Sequence, residues 1–287
     1  MLELMLEKLM KHYKLFIMIP LIITGLSGLF IAFNGIDEGI DLKGGSIASL
    51  KLKEPINSSD LENLLKASFD SQGVIVNEID VVSNRGTDVT VQIGTDLNST
   101  VFENAIRNKG TIASYNSIGP VLSEEAMGQI YWAIGFAFLF MSIAVFIIFR
   151  EPVPSFGVIL GAFCDMVIAL GGMSLFNIPL TIASIGGLLM LIAYSVDTDL
   201  LLTTRLLRRK EGTIISRAQD AMKTGLTMSL TAIAAMLVLY IVTIFLIPEA
   251  STLSNIAGVL TIGLIADIPK TWLMNLGILR WYMEWKK

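Results

Sequence analysis

Six stretches of this sequence are each long and apolar enough to cross the roughly 30 Å of hydrocarbon in a bilayer, given a helical rise of about 1.5 Å per residue. They run over Leu15–Phe33, Ile130–Phe149, Phe156–Phe176, Thr181–Leu202, Gly225–Ile247 and Ile256–Leu279. Backbone in lipid must satisfy its own hydrogen bonds, which leaves helices or closed barrels, and segments of this length are helices. Pro20 and Pro269 fall inside spans, where proline is tolerated. The spans are punctuated by Pro152 and Pro154, by Asn177-Ile178-Pro179 and by Pro248-Glu249. A hydrophobic content of 53% and a mean hydropathy of +0.68 agree. The first run is long for a signal-peptide core, and Asn34-Gly35-Ile36-Asp37 is a poor cleavage site, so a retained anchor is expected. The expected fold is a polytopic α-helical membrane protein with six transmembrane helices.

The same composition removes several functions. One cysteine, Cys164, and one histidine, His12, exclude disulfide frameworks and Cys/His metal clusters. No nucleophile–His–acid triad can be assembled, so no enzyme, metal site or cofactor is expected. A net charge of −4 gives no sign of nucleic acid. Cys164 reads as a small buried side chain.

Basic residues set the expected orientation. Lys8, Lys11 and Lys14 precede the first span, and Arg150 separates the second from the third. Arg205, Arg208, Arg209, Lys210, Arg217 and Lys223 follow the fourth, and Arg280, Lys286 and Lys287 follow the sixth. The opposing loops Asn177–Leu180 and Pro248–Ser254 have neither Lys nor Arg. Both termini are therefore expected in the cytoplasm, with residues 34–128 outside. The expected division is 1–33 (terminus and first span), 34–128 (external domain), 129–279 (remaining spans, with a cytoplasmic linker at 203–223) and 280–287.

The external segment has its own pattern. Ser46–Lys53 reads as a strand, and Ser59-Asp60-Leu61-Glu62 as a capping box opening a helix to Gln72 that ends at Gly73. Val74–Val82 is β-rich, Asn84-Arg85-Gly86 is a turn and Asp88–Ile93 alternates as a strand. Thr100-Val101-Phe102-Glu103 is a second capping box, its helix closed by Gly110, and Thr111–Ser117 is a last strand. The order β-α-β-β-α-β predicts a ferredoxin-like α+β domain. Lys43-Gly44-Gly45 predicts a tight turn. Asn57 and Asn98 match glycosylation acceptors, and the pattern alone does not decide their use.

Ionisable residues inside spans are functional candidates, since a charge at mid-bilayer costs about 2.5 kcal/mol or more. Gly186–Arg205 holds Asp197 and Asp199 ahead of a basic cluster led by Arg205. Asp165 lies near the middle of the third span with no partner in its own helix. Asp267 in the sixth has Lys270 on the same face, where the two can neutralise one another. Asp197, Asp165, Asp267 and Asp199 are the proton-relay candidates, Asp197 first by depth, and Lys270 and Arg205 their possible charge partners. The bland reading is that Asp197 and Asp199 emerge into water. Gly157 and Gly161, Gly171-Gly172 and Gly186-Gly187 predict close helix approach.

Three segments resemble one family. Asp41-Leu42-Lys43-Gly44-Gly45-Ser46 resembles the D-[FL]-x-G-G motif of the SecD/SecF protein-export proteins, and Ser117-Ile118-Gly119-Pro120 their S-V-G-P segment. Tyr194-Ser195-Val196-Asp197 through Arg205 is similar to their fourth-helix motif. The resemblance spans almost the whole chain and is greatest to the archaeal SecF form. It makes Asp41, Gly44, Gly45, Gly119 and Pro120 motif positions. It implies a half of RND (resistance-nodulation-division) type acting as an accessory subunit of the Sec translocase. The implied partners are a SecD-like subunit, a SecYE-type channel, exported unfolded polypeptides and the lipid bilayer, with coupling to the proton gradient. One departure stands out: the bacterial SecF motif Y-S-x-N-D has its acid where this chain has Thr198, and Asp197 falls in the register of SecD-like sequences. The rival readings are an RND-type lipid or small-molecule exporter half and a translocon assembly scaffold without ion coupling.

Overall fold

A computed structural model describes residues 11–76, 78–209, 211–247 and 250–286. Lys8, Lys210, Pro248, Glu249 and Lys287, used above as flank or boundary signals, lie outside the described residues. The chain enters through α1 (Tyr13–Asn34), turns through the short α2 (Ile40–Lys43) and opens a sheet domain with β1 (Gly45–Leu52). α3 (Ser58–Ser71), β2 (Ile79–Arg85), β3 (Asp88–Ile93), α4 (Ser99–Ile106) and β4 (Gly110–Ile118) complete it.

Alternation builds this domain. Ala48, Leu50 and Leu52 of β1 and Val89, Val91 and Ile93 of β3 are buried on one face of the sheet. Leu61, Leu65 and Phe69 of α3 and Phe102 and Ile106 of α4 cover that face, and the rings of Phe69 and Phe102 meet edge-on at 5.5 Å. Each buried Leu or Phe contributes about 1.5–3 kcal/mol. The antiparallel order β2-β3-β1-β4 is the ferredoxin-like arrangement expected. Local starts differ from the expectation. α3 is preceded by Asn57 at the cap, without a side-chain bond, and α4 by Asn98, whose side chain accepts from Thr100 N at 3.2 Å. Asparagine caps as well as serine or threonine, so neither Ser59-to-Glu62 nor Thr100-to-Glu103 is the cap. β2 runs through Asn84 and Arg85, and the reversal falls on Gly86, at φ 77°.

Among the described residues, six helices are long and apolar enough to cross a membrane. α1 is followed by α5 (Pro120–Phe149), α6 (Pro152–Leu175), α7 (Ile182–Leu207) and α8 (Ile214–Phe245). The sixth span is composite: α9 (Ser251–Pro269), a π-helical turn (Lys270–Asn275) and α10 (Leu276–Trp285). α6, α7 and the sixth span are 56%, 56% and 44% buried, against 6%, 11% and 17% for α1, α5 and α8. The three that carry the buried aspartates are therefore the centre, and the other three present apolar surface outward. The linker expected over 203–223 contracts to 208–213. α8 starts early because Thr213 accepts from Ser216 N at 3.1 Å and because Ala218, Ala221 and Met222 pack against Leu202, Leu206 and Trp272.

The basic segments gather at one end of the bundle. Arg208 donates to the Ile148 carbonyl, Lys286 pairs with Glu151, and Gly277 lies against Tyr13 and Ile17 at the start of α1. The sheet domain sits at the other end. Gly39 N donates to Leu180 O at 2.8 Å, Leu180 N to Asp37 O at 2.7 Å, and Arg85 to the Ile244 carbonyl near the end of α8.

Candidate functional site

Helix periodicity brings one face of each central span to a common point. On α7, Ser195 and Asp199 are one turn apart, so both face inward, whereas Asp197 is turned by about 200° from Asp199. On the sixth span, Asp267, Lys270 and Thr271 share a face at i, i+3 and i+4. The π turn keeps Asn275, five residues after Lys270, on that face, because a π turn closes i→i+5. α6 adds Asp165.

These groups make one buried cluster. Lys270 Nζ lies 2.9 Å from Asp165 Oδ2, from Asp199 Oδ2 and from Asp267 Oδ1, and also 2.9 Å from Ser195 Oγ. All three acids and the lysine are at most 1% exposed. Ser195 Oγ donates to Asp165 Oδ2 at 2.6 Å, and Thr198 Oγ1 to Asp267 Oδ2 at 3.0 Å. Thr271 Oγ1 lies 3.1 Å from oxygens of both Asp199 and Asp267, and Asn275 Nδ2 donates to Asp199 Oδ1 at 2.7 Å. Four oxygens thus surround an ammonium with three N–H bonds. Asp165 Oδ1 has no partner.

Glycine admits the lysine. A Cβ on Gly161 would stand 2.9 Å from Asp199 Oδ2 and 3.0 Å from Lys270 Cδ, and one on Gly157 would stand 3.2 Å from Asn275 Oδ1. The expected close approach at this pair is a contact between α6 and the site itself. Gly171, Gly172 and Gly187 also face neighbouring side chains or backbone, while Gly186 has nothing within 4 Å.

Of the sequence candidates, Asp165, Asp199, Asp267 and Lys270 come together. Asp197 does not: it is exposed on the outer surface of α7, away from the cluster that Asp199 joins. Arg205 lies about 9 Å further along α7 than Asp199 and makes no ion pair among the described residues. Ser195, Thr198, Thr271 and Asn275 were not singled out as site residues, although the i, i+4 spacing of Ser195 and Asp199 was there to be read. The motif positions lie outside the cluster. Gly44 and Gly45 have φ of 76° and 128°, and a Cβ on Gly45 would meet the Ile93 carbonyl at 2.3 Å. Gly119 caps α5, which starts at Pro120, and Asp41 is half-buried on α2 beneath the sheet. Cys164 is buried beside the cluster's helix face.

Comparison with known proteins agrees with this fold. A family model described as protein export membrane protein SecD/SecF, C-terminal, matches residues 98–285. The protein-export membrane protein SecF of Methanothermobacter thermautotrophicus is 57% identical over 280 residues, covering 98% of this chain and 96% of its own length. That of Methanocaldococcus jannaschii is 42% identical over 283 residues, covering 96% and 97%. The crystal structure of SecDF, a translocon-associated membrane protein from Thermus thermophilus, superposes over 96% of this chain with a TM-score of 0.72 at 17% identity. This chain spans 38% of that longer one, and the likeness is one of fold. With a family model over most of its length and a relative 57% identical along nearly all of it, the chain belongs to the archaeal SecF branch of the SecD/SecF family of protein-export membrane proteins.

Proposed function

We propose that this chain is a non-enzymatic accessory subunit of protein export, working beside a SecD-like six-helix subunit and a SecYE-type channel on unfolded exported chains. We further propose that Asp165, Asp199, Asp267 and Lys270 couple it to the proton gradient. The observation that carries the coupling is the arrangement of three buried carboxyls around one ammonium at 2.9 Å. Fully ionised, the group has three negative charges against one positive, leaving two uncompensated where each buried ion costs several kcal/mol. Protons are the simplest compensation, and their number changes when Lys270 shifts from one acid to another. A sodium ion would have to take the central position that Lys270 Nζ occupies, which favours the proton. A static scaffold would need one acid per base, which this cluster exceeds. An exporter of lipids or small molecules would be built from two such halves, and this chain supplies one.

The gathering of basic segments at one end supports a cytoplasmic location for that end, with both termini inside and the sheet domain, within residues 34–128, outside. The functional test is export into sealed vesicles holding this chain with its partners, with and without a proton gradient. Asp165→Asn and Lys270→Met are expected to abolish the gradient-dependent part while the complex still assembles. Full gradient stimulation in both variants would overturn the coupling.

A further inference from the structure

Two other buried polar atoms near the cluster lack partners: Thr203 Oγ1 and Asn275 Oδ1. Their position is directional. Thr203 is one turn beyond Asp199 on the same face of α7, and Asn275 one π turn beyond Lys270, both toward the basic end. Gly157, four residues from Gly161 in the same direction, adjoins Asn275 Oδ1, where even a Cβ would stand only 3.2 Å away.

Thr203 is also odd among its kind. Thr24, Thr224, Thr227, Thr243 and Thr261 all turn their hydroxyls back to the carbonyl four residues earlier. That bond is the ordinary recourse of a helical threonine in an apolar setting, and Thr203, fully buried, does not take it. Its hydroxyl is left without a protein partner. Buried polar atoms without protein partners are met by water, which needs two or more such partners to stay. Asp199, Asn275 and Thr203 supply them in sequence. The next residue on the Thr203 stripe, Leu207, lines a cavity of about 420 Å³ at the basic end, walled also by Phe149, Glu151, Arg208, Tyr282 and Lys286.

We propose that the aspartate–lysine cluster exchanges protons with the basic end of the bundle through a short hydrated route lined by Thr203, Asn275 and Gly157. The inference rests on the coupling reading above and adds a side, a path and a positioning residue to it. Thr203 holds the water that joins the Asn275 amide to the cavity. The only covalent bonds exchanged are O–H bonds: the carboxyl O–H breaks as an O–H bond to water forms. A proton leaving an aspartate carboxyl passes to water, and the charge it leaves behind is met by Lys270.

The test reads proton exchange rather than export. The purified complex is transferred from H₂O to D₂O, and the carboxyl C=O stretch of the protonated aspartic acid is followed by infrared spectroscopy, assigned by its loss in Asp165→Asn or Asp199→Asn. Thr203→Val, isosteric but without a hydroxyl, is expected to slow the exchange by roughly fivefold or more, the factor that one hydrogen bond's net worth corresponds to. Thr203→Ser should restore the wild-type rate. Thr261→Val, on the opposite side of Asp267 along the sixth span, should leave it unchanged. A protonated band whose exchange is indifferent to Thr203→Val, or slowed equally by Thr261→Val, overturns the route alone. Absence of any such band overturns the coupling reading, and the route with it.

Discussion

Gly161 limits how the site can be altered. Any side chain there displaces Asp199 or Lys270, whose atoms already stand about as close as a Cβ tolerates. Gly161→Ala is therefore expected to lower stability by about 1–3 kcal/mol, the usual cost of overpacking. Gly186→Ala, with open space around it, should be near neutral or slightly favourable through helix propensity. Thermal unfolding of both variants in detergent checks the contrast, and equal shifts would refute it. The two glycines look alike as sequence, since each belongs to a small-residue pair. What separates them is the partner across the interface, which no local pattern states. The same holds for Asp197 and Asp199. Hydropathy gives depth along a helix, but azimuth depends on which helices lie beside it, and two residues are enough to move a carboxylate from the centre to the surface.

Among elements, the sheet domain was legible to the level of strand order, because alternation and short helices specify it locally. Helix starts were less so, since Asn57 and Asn98 stand just ahead of the serine and threonine that suggested capping boxes. The early start of α8 was hidden because its first turns are amphipathic rather than apolar, packing on Trp272 instead of lipid. The π turn left no sequence signal beyond Pro269. One contact between elements has a pH dependence that can be read. Glu151, in the tight turn between α5 and α6, accepts from Lys286 and from Tyr282 Oη, the latter at 2.6 Å. These bonds hold the Glu151 carboxyl below its usual range, the lysine contributing most, and hold Lys286 above its own. A depressed carboxylate stabilises above its unfolded value and loses that contribution as pH falls through the folded one. A raised lysine contributes below its unfolded value and loses it as pH rises through the folded one. The tether is thus intact from mildly acidic to mildly alkaline pH and releases at both extremes. Hydrogen exchange of the last turns of α10 should rise on acidification in the wild type and already be raised, and flat with acid, in Glu151→Gln. Protection unaffected by either change would contradict the pairing.

At the scale of the molecule, three central helices hold the buried charges and three outer ones leave most of their apolar surface exposed. Single cysteines placed at Ser71, in the sheet domain, and at Ser216, near the start of α8, test its orientation; both positions are exposed. In a Cys164→Ala background, an impermeant thiol reagent is expected to label the first in intact cells and the second only after permeabilisation. Labelling of position 216 in intact cells would invert the bundle. Six spans were legible from hydropathy because lipid imposes one length on all of them. The cluster was legible only as a set of candidates, since its assembly depends on packing three helices at once. That assembly makes a sharp distinction between neighbours on one helix. Asp199 touches Lys270 at 2.9 Å, while Asp197, two residues away, lies outside the cluster on the exposed face of α7. The decisive measurement is gradient-dependent export from vesicles carrying Asp199→Asn or Asp197→Asn, with assembly verified for each. Coupling through the cluster predicts that Asp199→Asn loses the gradient-dependent part and Asp197→Asn keeps it, and the reverse outcome, or no loss in either, would contradict it.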